Sequence, residues 1–187
     1  MASYIVGYGT LLYTDSVGDT LGSSARRKLY LPVMIHGFKR LFNLLPSHYN
    51  PSYKISKMPV EKAAANIIVS AGSSFNGLAF EVNQAELAEI DRRESHYLRL
   101  ETIMYDFVHG EPMGKAFVYS AVEKEAPITD DAYYLPDWED ISWARTGAYR
   151  HGERFGEMYD QTTYLADGKT LVVERYNDYL NQLIIND

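Results

Sequence analysis

The strongest constraint on the fold is the run Ser3-Tyr4-Ile5-Val6-Gly7-Tyr8-Gly9-Thr10-Leu11-Leu12. Tyr4, Ile5 and Val6 are apolar and β-prone, so the chain opens as a strand. Gly7, Tyr8, Gly9 and Thr10 then take it sharply out of that strand. A strand that ends in a glycine-containing loop turns backbone N–H groups outward. Such a loop is a cradle for an anionic group such as a carboxylate.

Further along, residues 14–28 are polar and glycine-bearing, and are expected to be irregular with a short helix. Leu31–Gly37 and Phe38–Leu44 read as two strands meeting near Gly37. In the second, Phe38, Arg40 and Phe42 alternate with Lys39, Leu41 and Asn43, so neither face is purely apolar. Pro46–Pro59, with three prolines, reads as a long surface loop of the kind that serves as a lid or binding loop, or as a plain insertion. Ala63–Ser70 predicts a strand and Ala71–Ser74 a turn. Asn76–Val82 alternates with Leu78, Phe80 and Val82 on one face.

Asn83 is a good helix N-cap, and Glu86 three residues on completes a capping-box pattern. In the helix that follows, Leu87, Ile90 and Glu94 recur at spacings of three and four, so its apolar face ends in a carboxylate. Tyr97–Phe107 and Lys115–Ser120 read as a hairpin turned by His109–Gly114. Ala126–Tyr149, with both tryptophans (Trp138 and Trp143), resists assignment and is expected to cover a sheet edge or a pocket mouth. Arg150–Tyr164 reads as helical with interruptions at Gly152 and Gly156. A final helix after Thr170 carries the stripe Leu171, Val172, Tyr176, Tyr179, Leu180 and Leu183, which reads as core.

A chain of 187 residues is most simply one domain, spanning 1–187, with no internal repeat or linker. Its net charge of −7 argues against a nucleic-acid partner, because phosphate backbones need a basic surface. Small anionic substrates stay open to it, since they respond to local fields. The absence of cysteine removes disulfides, thiolate metal sites and a cysteine nucleophile, and is compatible with a cytoplasmic location. No signal peptide is expected, and no membrane partner, because no apolar run approaches the roughly 20 residues of a span.

Gly7-Tyr8-Gly9 is half of a dinucleotide fingerprint, but position 12 is leucine and an isolated GxG is weak evidence. There is neither a P-loop nor a G-x-S-x-G elbow. His36, His48, His96, His109 and His151 show no ligand spacing, so no metal is expected. Arg92, Arg93 and Arg99 against Asp91, Glu94 and Glu101 form a charge-dense patch. One reading is a solvated helix end with ordinary ion pairs. The other is that Glu94 faces inward with the stripe of Leu87 and Ile90. There, desolvation would disfavour its charge and suit it to general-base work near neutrality.

Four stretches taken in order, Tyr8–Leu11, His36–Arg40, Asn76–Glu81 and Asp91–Tyr97, resemble the γ-glutamylcyclotransferase-like superfamily, in its ChaC-like and AIG2-like branches. ChaC-like loops read Y-G-S-L and their acidic motif R-E-x-x-Y. Here Thr10 replaces the serine, as in the AIG2-like branch, and keeps the hydroxyl. The resemblance implies an α+β (mixed) fold, a small β-barrel flanked by helices. It also implies a cofactor-free reaction in which the α-amine of a γ-glutamyl group attacks its own γ-carbonyl and releases 5-oxoproline. Glu94 would be the general acid/base. Tyr8, Gly9, Thr10, Leu11 and Tyr97 would bind substrate. Arg40 would pair with a substrate carboxylate or form a structural ion pair. The substrate is glutathione or another γ-glutamyl peptide on one reading. Alternatives are a γ-glutamylamine or other acylated metabolite, and a non-catalytic binding module on the same scaffold. Pro46–Pro59 and Ala126–Tyr149 are expected to flank the pocket and set specificity.

Overall fold

A computed structural model describes residues 2–44, 61–95, 97–121 and 134–185. Pro46–Pro59, His48, His96 and residues 126–133 lie outside the described residues. The sheet is built from β1 (Ser3–Gly7), β2 (Tyr30–Leu44), β3 (Glu61–Val82), β4 (Tyr97–Asp106) and β5 (Pro112–Ala121). Neighbours run β3-β1-β5-β4-β2, and β2 pairs again with β3, so the five strands close into a mixed barrel. All pairings in it are antiparallel except β1 with β5, parallel at Ile5 and Phe117. Two short strands extend it: β6 (Tyr134–Pro136) beside the start of β3, and β7 (Thr163–Leu165) beside Arg40–Phe42. Closure removes the barrel's free edges.

Among the described residues five α-helices lie outside: α1 (Thr14–Leu21), α2 (Gln84–Arg93), α3 (Trp138–Arg150), α4 (Glu153–Gln161) and α5 (Val172–Ile185). None among the described residues is long and apolar enough to cross a membrane. Strand alternation divides the core in two. Val6, Val33, Ile35, Ile67, Phe75, Ala79 and Val118 pack together in one cluster. Ile5, Phe80 and Val82 turn the other way, against Val17 of α1 and Leu87 and Ile90 of α2. Leu78 meets Leu12, Ala144 of α3 and Phe155 and Tyr159 of α4. The face of Leu78, Phe80 and Val82 expected from alternation is therefore real, and it meets helices.

Two expected breaks are absent. β2 runs unbroken through Gly37, and β3 through residues 71–74. His36 pairs with Ser74 but Phe38 with Val69, so residues 70–73 bulge opposite Gly37 alone. Gly37 and Gly72 take φ of 82° and 80°, conformations that glycine adopts freely. The glycines bend a continuous ladder without ending it. Similarly, Gly156 does not interrupt α4. A Cβ there would lie 2.4 Å from the Tyr149 ring, so the glycine lets α4 pack against α3. Gly152 does mark the boundary, as the N-cap of α4 with φ of 112°.

The capping box on α2 forms as expected: the Asn83 side chain accepts from the Ala85 and Glu86 N–H groups, and Glu86 accepts from the Asn83 N–H. The Thr170 hydroxyl donates to Asp167, and α5 begins at Val172. Val172 is buried and Tyr176 packs on the same cluster, so the start of the expected stripe is core.

Arg40 is fully buried. Nε donates to the Thr163 hydroxyl at 2.8 Å, and Nη1 to the Asn76 carbonyl at 2.8 Å and the Tyr8 carbonyl at 3.3 Å. Nη2 donates to Asn76 Oδ1, the Thr162 hydroxyl and the Tyr159 carbonyl. Its guanidinium also lies over the Tyr159 ring, 4.2 Å from the centroid. Burial pulls its pKa down to about 10, which leaves it charged at neutrality. These acceptors would be orphaned by Arg40→Met. Each buried unpaired acceptor costs about 1–3 kcal/mol, so a loss of at least about 3 kcal/mol is expected, a fall in Tm of roughly 10 °C. Thermal unfolding checks it, and a Tm within about 2 °C of wild type would contradict this assignment.

Candidate active site

The site begins where β1 ends. Gly7 leads into Tyr8 and Gly9, and residues 10–12 form one 3-10 turn closed by Leu12 N–H on the Gly9 carbonyl at 2.9 Å. The N–H groups of Thr10 and Leu11 thus sit at the open end of that turn. The glycines here serve close approach. A Cβ on Gly7 would sit 2.6 Å from the Leu11 Cβ, and one on Gly77 would sit 2.8 Å from the Gly7 carbonyl oxygen. The loop is folded hard onto its own strand and onto β3.

Glu94 is the C-cap of α2, its N–H bonded to the Ile90 carbonyl at 2.8 Å. Ile90 and Leu87 anchor the helix in the core, and this points the next position on the stripe into the cavity. The Glu94 side chain is 12% exposed. The charge patch therefore divides. Arg92 pairs with Glu89, Lys115 with Glu101 and Arg99 with Asp91, toward solvent. Arg93 and Glu94 face inward, with Arg93 Nε 3.2 Å from Glu94 Oε1. Burial pushes the Glu94 carboxyl above the ordinary carboxylate range, and the Arg93 cation and hydrogen bond pull it back part of the way.

Tyr8, Gly9, Thr10, Leu11, Glu94 and Tyr97 all line one cavity of about 460 Å³. Its other walls include Phe42, Ala63–Ala65, Tyr119, Asp19 and Thr20 of α1, and Asp137, Asp140 and Trp143 at and within the start of α3. The segment that resisted assignment thus supplies part of the cavity wall from residues 137–144. Both predicted tyrosines donate their hydroxyl protons to backbone carbonyls, Tyr8 to Tyr119 at 2.6 Å and Tyr97 to Ala65 at 2.9 Å. They brace the walls. The Tyr119 hydroxyl donates to Asp91 at 2.7 Å, and burial raises its pKa.

Arg40 does not line the cavity. Of its two expected roles the substrate pairing is corrected: a fully buried guanidinium bonded to the Tyr8 carbonyl supports the loop from behind. Its partners are carbonyls, hydroxyls and an amide, so among the described residues it makes no ion pair within 4 Å. Arg93 was legible in sequence as one of a charge cluster, without a role. Two signals point to it: it matches the arginine of the R-E-x-x-Y motif, and its spacing of three from Ile90 puts it on the margin of the buried stripe. Among the described residues no group of three or more His, Asp or Glu is placed to hold a metal ion.

No family model matches the sequence, and no curated protein matches it. Solved structures do. A γ-glutamyl cyclotransferase shares 15% identity at a TM-score of 0.63, over 97% of this chain and 99% of that one. An uncharacterized human protein shares 16% identity at 0.60, over 84% of this chain and 86% of that one. A yeast γ-glutamyl cyclotransferase specific to glutathione shares 12% identity at 0.56, over 86% and 95%. The chain has the γ-glutamylcyclotransferase-like α+β fold.

A buried carboxyl whose pKa is raised by folding contributes stability at low pH that is lost as pH climbs through the folded value. Glutamine in its place does not titrate. Glu94→Gln is therefore expected to gain in Tm over wild type between pH 4 and pH 8, with roughly 2–4 °C for each kcal/mol. Calorimetry at the two pH values checks it. A difference that stays constant with pH would contradict the burial of an ionising carboxylate here.

Proposed function

We propose that the chain is a single-domain γ-glutamyl cyclotransferase that releases 5-oxoproline from a γ-glutamyl compound without a cofactor. The observation that supports this best is the meeting of the Tyr8–Leu11 loop and the largely buried Glu94 carboxyl on one cavity. The reaction asks for little. The substrate must fold so that its own α-amine lies near its γ-carbonyl, and a cavity of about 460 Å³ can impose that proximity. Glu94 takes the proton from the α-ammonium. The amine nitrogen attacks the γ-carbon and the carbonyl becomes an oxyanion. Loop N–H groups from Gly9 to Leu11 face that charge. The γ-carbon–nitrogen bond to the leaving amine breaks as Glu94 returns its proton to that nitrogen, the ring nitrogen gives up its second proton to the same amine, and the neutral five-membered lactam and an ammonium depart.

Glutathione is one substrate of this class, and a cytoplasmic location goes with it. A second reading, a γ-glutamylamine as substrate, is favoured by the cavity's charge. Asp19, Asp137 and Asp140 line it besides Glu94, against Arg93 as its one basic residue among the described residues. Such walls disfavour a leaving amine that carries a carboxylate, as the cysteinylglycine of glutathione does. They suit a neutral or cationic amine.

The test is 5-oxoproline release from glutathione, γ-glutamyl amino acids and γ-glutamyl amines by wild type and Glu94→Gln. A fall of at least about 100-fold is expected in the variant, which keeps the shape and removes the base. Full activity in Glu94→Gln would exclude Glu94 as base. A ranking with amines ahead of glutathione supports the second reading. Binding of these compounds without turnover would make the chain a binding module on this scaffold.

A further inference from the structure

Arg93 makes more contacts in this cavity than its wall position requires. Nη1 donates to the Ser16 carbonyl at 2.7 Å and the Thr20 hydroxyl at 2.8 Å. Nη2 donates to the Ser16 hydroxyl at 2.9 Å and the Thr10 hydroxyl at 3.3 Å. Nε faces Glu94 Oε1 at 3.2 Å. One planar group is thus fixed by α1 on one side and touches both functional elements on the other. A guanidinium suits this because its donors are set in a rigid fork.

The Thr10 contact has a chemical consequence. A guanidinium has no acceptor, so the Thr10 oxygen must accept in this bond. Its own proton then points elsewhere, and Thr10 lines the cavity.

We infer that Arg93 is the positioning residue of this site: it orients the Glu94 carboxylate with one edge and, with another, turns the Thr10 hydroxyl proton toward the bound ligand. The inference concerns the same site as the proposed reaction and, for its effect on turnover, rests on that reading. Other groups face Glu94 across the cavity. Tyr8 comes from the loop, Asp19 from α1, Tyr97 from β4, Tyr119 from β5, and Asp137 and Asp140 from the start of α3. The aspartates act on the carboxylate with the sign opposite to Arg93. Arg93 is the cation in direct contact, so its removal dominates.

The experiment titrates Glu94 directly. In protein labelled with 13C at the glutamate side-chain carboxyls, Glu94→Gln identifies the Glu94 resonance by its loss. Its midpoint is then followed in wild type, Arg93→Gln and Arg93→Lys. Arg93→Gln is expected to raise the proton affinity of Glu94 by about tenfold or more. Arg93→Lys keeps the charge but has no Nε at the carboxylate, so a smaller rise, about threefold, is expected. An unmoved midpoint in whichever of the two variants is folded overturns the inference, and a structural role alone would leave it unmoved. In parallel, the acid limb of 5-oxoproline release is expected to move to higher pH with the same midpoint. Thr10→Val is expected to lose about tenfold or more in kcat/KM in wild type and nearly nothing further in Arg93→Gln, while Thr10→Ser retains activity. Additive losses would overturn the Thr10 half. The titration reads Arg93 whether or not the protein turns over, so an active Glu94→Gln protein would exclude Glu94 as the base, absence of turnover would sink the reaction reading, and either would leave this result standing.

Discussion

The structure depends on burying one charge. Arg40 sits in β2 with no exposure to solvent, and an unpaired guanidinium there would be prohibitive. Its donors are met by chain segments far apart in sequence: the Tyr8 carbonyl, Asn76 in β3, the Tyr159 carbonyl ending α4, and Thr162 and Thr163 at β7. Asn76 continues the network by donating to the Phe155 carbonyl at 2.7 Å. Withdrawing several of these partners would leave guanidinium donors unpaired in the core. The network therefore fixes where the loop after β1 sits relative to the barrel and to α4. It works through the Tyr8 carbonyl, away from the cavity, whose lining does not include Arg40.

This explains why three of the four sequence stretches that resemble the superfamily occur together. Tyr8, Arg40 and Asn76 belong to different stretches yet meet in one hydrogen-bonded unit. The fourth stretch supplies Glu94 from the opposite wall. Short motifs of this kind hold little information singly. Their order reflects a contact that the closed barrel makes, and the barrel persists in structures of 12–16% identity.

What was legible in the sequence was local. The Asn83–Glu86 box and the stripe from Leu87 to Glu94 follow from helix geometry, and the β1 loop from glycine and β propensity. The alternation of Leu78, Phe80 and Val82 showed a face but not its partner, because period two marks sides and cannot say which side is helix-covered. Misreadings arose where distant contacts decide. Gly37 and the 70–73 segment look like strand ends, but the facing strand absorbs both as one bulge. Arg40 looks like a binding residue because a buried arginine with uncharged partners is rare, and those partners lie up to 123 residues away. Residues 137–150 gave no clear period, since α3 is buried on Ile141, Ala144, Gly147 and Ala148, three of them small.

The same division bears on the site. In the proposed reaction Glu94 is the base, and burial alone pushes its proton affinity above that of an ordinary carboxylate. A cation at contact distance corrects that, provided it cannot swing away. Arg93 is held by Ser16 and Thr20 before it meets Glu94, so the correction is built into the packing of α1 on α2. The carboxylate's proton affinity, raised by burial, is then moderated through the packing of α1, which also brings Asp19 to the cavity. A substitution in α1 that loosens Arg93 would be felt at Glu94 without touching either residue. In the proposed reaction, proton transfer at Glu94 is thus tied to helix packing, as loop position is tied to Arg40.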